Sequence, residues 1–244
     1  MSDRFYIPPT DWDTSALSLA DDEAKHCTQV MRHREGDEII VFNGRGDVGH
    51  TRITSIKKSV VTLECLSIDH LESPAVRITL APALIKADRW EWLLEKATEL
   101  GVTEIQPLVT ARCVVKLSAE DTARKHEKWQ RLIIEACKQS RRAWVPVLHP
   151  VRRLRDWCDM SAKTDLSLVA SLGDHAMPIK TAVEQSSKPS TTRLIIGPEG
   201  DFTPEELQHI MAEGFTPITL GSLTLRAETA SIAALAILND LLSD

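Results

Sequence analysis

Leu194-Ile195-Ile196-Gly197-Pro198-Glu199-Gly200-Asp201-Phe202 and, shortly after it, Leu220-Gly221-Ser222-Leu223-Thr224-Leu225-Arg226-Ala227-Glu228-Thr229-Ala230 decide how this chain folds. Each begins with apolar, strand-like residues, turns at a glycine and runs into a helix. Two such turns close in sequence can build one pocket at the ends of neighbouring parallel strands, where open α/β sheets bind ligands. The polar residues there are few: Glu199, Arg226 and Glu228. They point to a small-molecule site.

Upstream of that pair the pattern is consistent with such a sheet. Strand-like runs at 76–80, 104–109, 166–170, 193–196 and 218–220 alternate with helical periodicity at 88–100, 121–140 and 228–242, which predicts an α/β domain with a mostly parallel sheet. Pro107 marks an end or edge within 104–109. Gly101 stops the helix carrying Trp92, Leu93, Lys96 and Ala97. Thr203-Pro204-Glu205-Glu206 is a helix start, with Thr as N-cap, Pro at the first position and Glu at the third. The last helix is apolar on nearly all sides, so it is deeply buried or lies in a subunit interface. Residues 186–192 read as a loop. Before Ser73-Pro74, short β-branched runs at 38–42, 48–56 and 60–66 follow a short helix opening near Ala20 and suggest a small antiparallel barrel. The expected domains are 1–72 and 73–244.

Composition narrows the function. An apolar fraction of 43% in 244 residues allows a sizeable core. The N-terminal residues show no basic-then-apolar signal pattern. The apolar run near the C-terminus is too interrupted to span a bilayer. Five scattered cysteines form neither a Cys-x-x-Cys pair nor a metal-ligand spacing. A cytoplasmic protein with reduced thiols and no metal is expected. The net charge of −6 argues against a general nucleic-acid coat, yet residues 124–155 hold ten basic and two acidic side chains. A local basic stripe on an acidic protein favours a specific polyanion contact, against the alternative of a solvated helix face. Phosphate-loop, dinucleotide, nucleophile-elbow and zinc-protease signatures are absent.

Further segments complete the set: Arg4-Phe5-Tyr6, Val30-Met31-Arg32, Phe42-Asn43-Gly44, Lys86-Ala87-Asp88-Arg89, Lys96 to Val102, Pro107 to Cys113 and Glu135 to Ser140. Together with the two glycine turns, their order and spacing resemble the ribosomal RNA small subunit methyltransferase E (RsmE) family, of the SPOUT superfamily, over nearly the whole chain. Asp201 stands where the family usually has Gly, and Ser222 where Pro is common. The resemblance implies a PUA-like RNA-binding β-barrel followed by a trefoil-knotted SPOUT methyltransferase domain. It also implies a homodimer acting in ribosome biogenesis, S-adenosylmethionine as methyl donor, and N3 of a uridine in small-subunit (16S) ribosomal RNA as acceptor. Alternatives are a SPOUT enzyme with another target atom, such as a ribose 2′-oxygen, and a non-catalytic RNA-binding or assembly module.

On that resemblance the expected cofactor pocket comprises Val169, Ala170, Ile196, Gly197, Pro198, Glu199, Gly200, Leu220, Gly221, Leu225, Arg226, Thr229 and Ala230. Glycines let backbone approach the adenine, and Leu220 and Leu225 can sandwich it. Methylating N3 means removing a proton from a weakly acidic imide, which a nearby cation favours. Arg226 is the first candidate for that cation. Glu199 or Glu228 accepts the proton, orients a water or only fixes loop geometry. RNA contacts are expected from Arg4, Arg32, Lys86, Arg112, Gln139, Arg141 and Arg142, since arginine suits phosphate geometry and stacks on bases. Trp90, Trp92, Trp129 and Trp157 are expected in the core. Cys113 and Cys137 are expected to be buried structural thiols.

Overall fold

Alternating apolar residues draw the first strands onto one core. The computed structural model describes residues 4–115, 118–160, 164–173 and 175–242. The chain divides into two units, Met1–Ser73 with Ile134–Val145, and Pro74–Ile133 with Pro146–Asp244.

The first unit contains β1 (Arg4–Tyr6), β2 (Ser18–Ala20), α1 (Asp21–Lys25), a π-helical turn at His26–Val30, β3 (Glu38–Phe42), β4 (Asp47–Lys57) and β5 (Val60–His70). They form one five-stranded sheet in the order β1-β3-β4-β5-β2. All pairings are antiparallel except β1 with β3. Two register shifts between β4 and β5 increase the local twist and let the sheet curl into a barrel-like form. Phe5, Leu17, Leu19, Ile39, Val41, Ile53, Val61 and Leu63 fill its inside. The β3–β4 turn is held by Asn43, whose Oδ1 accepts from the amides of Arg45 and Asp47 at 2.8 and 3.1 Å. Gly46 there has φ +99°. Segment 134–145 joins this unit through backbone bonds: Val145 N–H donates to Gly44 O at 3.0 Å and Gly46 N–H to Ala143 O at 3.2 Å.

The second unit is built on a seven-stranded, wholly parallel sheet. Its elements are β6 (Arg77–Pro82), α2 (Ala87–Glu99), β7 (Glu104–Ile105), β8 (Leu108–Val109), α3 (Ala119–Ser140, which runs on into the first unit), β9 (Val147–Leu148) and β10 (Arg152–Arg153). Then come α4 (Leu154–Met160), β11 (Leu166–Ala170), β12 (Met177–Pro178), α5 (Ile179–Glu184), β13 (Thr191–Ile196), α6 (Pro204–Ala212), β14 (Thr216–Thr219) and α7 (Ala227–Leu242). The sheet order is β12-β14-β11-β13-β6-β7-β9, and β8 pairs separately with β10. The 104–109 run is thus two strands rather than one. Pro107 has no N–H to continue the ladder, and its carbonyl instead accepts from Arg152 N–H. Thr191 and Thr192 open β13 rather than ending the preceding loop.

Trp90, Trp129 and Trp157 are buried as expected; Trp92 is not, being 43% exposed. The buried stripe of α2 runs through Trp90, Leu93, Leu94, Ala97 and Thr98, which turns position 92 outward. Burial pushes the Cys137 and Cys158 thiols up to about 12, so neither is a ready nucleophile. Cys113 is only partly buried. Among the described residues no helix is long and apolar enough to cross a membrane.

The expected start of α6 is a complete capping box. Thr203 Oγ1 accepts from Glu206 N–H at 3.2 Å, and Glu206 Oε2 accepts from Thr203 N–H at 3.0 Å. Glu206 Oε1 also accepts from Ala111 N–H at 2.7 Å. Thr203→Ala should cost about 1 kcal/mol of stability, read by urea denaturation; a cost near zero would mean the cap is idle.

Candidate active site

The carboxyl ends of three neighbouring strands, β14, β11 and β13, open onto one cavity of about 260 Å³. Its walls are apolar where an aromatic ring could lie: Ile196, Ile218, Leu220, Leu223 and Leu225. Its polar side chains include Ser171, Glu199, Asp201, Thr219, Thr224 and Arg226. Ten of the thirteen expected pocket residues line it: Ala170, Ile196, Gly197, Pro198, Glu199, Leu220, Gly221, Leu225, Arg226 and Ala230.

The other three lie elsewhere. Val169 is fully buried in the core beneath β11, because alternate strand residues face opposite ways. Gly200 abuts Arg112, and its carbonyl accepts from Arg112 Nη1 at 2.8 Å. Thr229 is exposed on the first turn of α7, one position away from Ala230, which faces the cavity. Ser171, Leu172, Ile218, Thr219, Leu223, Thr224 and Ala227 line the cavity without having been singled out, and Asp201, noted as a departure from glycine, lines it too. Thr219 secures the second turn: its hydroxyl donates to Gly221 O at 3.0 Å and accepts from Gly221 N–H at 3.3 Å.

Asp201 has φ +58°, a conformation suited to glycine and tolerated by Asp when its side chain bonds locally. Asp201 Oδ1 does so, accepting from Phe202 N–H at 2.8 Å. The departure from glycine is therefore accommodated at its own backbone.

Around the cavity three charged groups meet. Arg89, on the first turn of α2, sits with Nε 3.6 Å from Glu228 Oε1 and Nη1 3.9 Å from Glu199 Oε1. Glu228 is 7% exposed, and its Oε2 is buried without a hydrogen-bond partner. Glu199 lines the cavity and Glu228 does not. Arg226 is exposed at the cavity, and among the described residues no carboxylate pairs with it. Sequence reading missed Arg89 as a site residue. It lies in the quoted Lys86–Arg89 segment, but nothing in its spacing ties it to two distant carboxylates.

The RNA candidates separate by environment. Arg32, Lys86, Gln139 and Arg141 are exposed. Arg4 is placed otherwise than expected: it is 8% exposed, donates to the Arg141 and Arg142 carbonyls at 3.0 and 3.4 Å, and lies over the Phe42 ring. A guanidinium so engaged caps the end of α3. Arg142 is half-buried, and burial holds its guanidinium below the usual arginine range. Arg112 clamps the 200–202 loop by donating to Gly200 O and Phe202 O. Within the basic stripe, Lys138 is buried and paired with Glu23 and Glu135. Asp159, His209 and Glu213 are the one described group whose ligand atoms could surround a metal ion; two of the three are exposed.

Comparison with known proteins decides the family. Residues 71–239 match the RNA methyltransferase domain model and residues 19–64 the RNA methyltransferase PUA domain model. Ribosomal RNA small subunit methyltransferase E from Synechocystis sp. is 31% identical over 99% of this chain and 78% of its own length. The chain belongs to the ribosomal RNA small subunit methyltransferase E family. The family's Bacillus subtilis member is also 31% identical, over 91% of this chain and 89% of its own. The Neisseria gonorrhoeae family member, solved bound to S-adenosyl methionine, superposes with a TM-score of 0.87 at 33% identity, covering 99% and 98% of the two chains. A Legionella pneumophila methyltransferase, solved in complex with the same cofactor, gives 0.88 at 33% identity over 98% of each chain.

Proposed function

We propose that this protein transfers a methyl group from S-adenosylmethionine to N3 of a uridine in small-subunit ribosomal RNA. The observation that carries the reading is the cavity at the ends of β11, β13 and β14. Its apolar walls suit an adenine, and its polar margin includes Glu199 and Arg226, a cation that pairs with no carboxylate among the described residues. The donor set fits the cofactor: Leu220 and Leu225 flank a ring, and a Cβ on Gly221 would meet nothing within 4 Å, so backbone is open to a ligand there. When bound, S-adenosylmethionine supplies an electrophilic methyl on a positively charged sulfur.

The residues of the chain then have distinct tasks. Arg226 stabilises the imide anion left when N3 loses its proton. Glu199, facing the cavity, accepts that proton directly or through water. Glu228 works through Arg89, whose guanidinium bridges the two carboxylates, and so is a positioning residue. No covalent nucleophile is required, because aligning nitrogen with the methyl carbon is itself worth roughly 7–11 kcal/mol. Arg32, Lys86, Gln139 and Arg141, being exposed, are the RNA contacts in this reading; Arg112 contributes through the 200–202 loop it clamps. The reading takes residues 1–72 as the RNA-binding barrel and 73–244 as the knotted methyltransferase domain of a cytoplasmic homodimer.

Calorimetric titration tests the pocket. S-adenosylmethionine should bind saturably and NAD should not. If neither binds, with or without small-subunit RNA present, the reading fails.

A further inference from the structure

At the amino-terminal ends of β6, β7 and β13, opposite the strand ends that carry the cofactor pocket, the sheet holds a second cavity of about 330 Å³. Parallel sheets covered on both faces read as nearly unbroken apolar runs. Here that rule is broken in register. Arg77 pairs with Thr191, and Thr79 pairs with both Arg193 and Glu104. Since alternate residues share a face, these side chains form one polar stripe across three strands, and all of them line the cavity.

Charge in this stripe is unbalanced. Glu104 is committed to His149, Oε2 to Nε2 at 2.9 Å. Arg193 is 7% exposed and stacks over Phe215 and Trp157, with ring centroids at 4.8 and 5.5 Å. Its Nε and Nη2 donate to Thr164 Oγ1 at 3.1 Å and Ser167 Oγ at 3.2 Å, but Nη1 is buried without a partner. Arg77 and Arg152 also line the cavity, exposed; Arg77 helps hold Glu104 charged, and among the described residues neither arginine makes a direct ion pair with a carboxylate. Three guanidiniums thus share the cavity with one carboxylate, Glu104. A buried cation with an idle donor is costly unless an anion answers it, and guanidiniums match phosphate oxygens in geometry.

We propose that this cavity binds a phosphate group, from RNA backbone or from a free phosphomonoester, separately from the cofactor pocket. Titrating the full-length protein with inorganic phosphate tests it. Saturable binding should weaken by about tenfold or more in an Arg77→Ala/Arg152→Ala variant, with S-adenosylmethionine affinity unchanged as the control for folding. Arg152→Glu alone, at an exposed residue, should weaken phosphate in the same direction. Displacement of phosphate by small-subunit RNA would assign the RNA backbone as the source; phosphate retained beside bound RNA would assign a free phosphomonoester. No saturable binding up to ~10 mM, or equal binding by wild type and both variants, would overturn the proposal.

Discussion

Replacing Arg226 with alanine should lower methyl transfer to RNA by about 10²–10³-fold, the loss typical of removing one preorganised group that stabilises a developing anion. The defect should fall on the chemical step, with cofactor affinity changed far less, because the apolar walls at Ile196, Ile218, Leu220 and Leu225 remain. It should also depend on pH. With Arg226 present, the imide anion is stabilised below its ordinary ionisation range. Without it, the residual rate should climb steeply as rising pH removes the proton unaided, so the gap to wild type narrows. Arg226→Lys keeps the charge and should recover part of the rate. Single-turnover rates across a pH series check this; a variant that transfers methyl at the wild-type rate, or a gap that widens with pH, contradicts the role.

Gly46→Ala should destabilise the first unit by about 3 kcal/mol or more. Two costs add there. Gly46 has φ +99°, where an L side chain is strained, and a Cβ would stand 2.5 Å from Leu71 O and 2.9 Å from the Trp144 ring. The obstacle is partly backbone, and Trp144 is fixed by donating from Nε1 to the same Leu71 O at 2.9 Å. Gly36 provides the control: its φ is +95°, but nothing lies within 4 Å of its would-be Cβ. Gly36→Ala should therefore carry the torsional cost alone. Urea unfolding of both variants separates the costs, and equal losses would show that close packing at Gly46 is unimportant.

Sequence reading succeeded where the deciding interactions are local. The α6 capping box lies within four residues, and each glycine turn joins one strand to the helix that follows. Both were legible, and so was the parallel sheet from its alternating pattern. What escaped depends on contacts between distant segments. Arginine identity says nothing about available carbonyls, so Arg4 read as an RNA contact although the end of α3 uses its guanidinium. Arg89 joins Glu199 and Glu228 only after α2 and α7 are placed. The two-residue strands β9, β10 and β12 are too short to show periodicity, and β1 reveals itself only by pairing with β3. Thr219 and Thr224 looked like ordinary strand and loop residues until the two turns were brought to one cavity.

The most direct test of the account is to incubate the protein with S-adenosylmethionine and small-subunit ribosomal RNA, free and assembled, and to identify the methylated nucleoside by mass spectrometry. The account predicts a single product, uridine methylated at N3, formed by wild type and nearly absent with Arg226→Ala. A methyl on a ribose 2′-oxygen would show that the assigned chemistry is wrong, and no methylation of either substrate would contradict the assignment of this protein as an active methyltransferase.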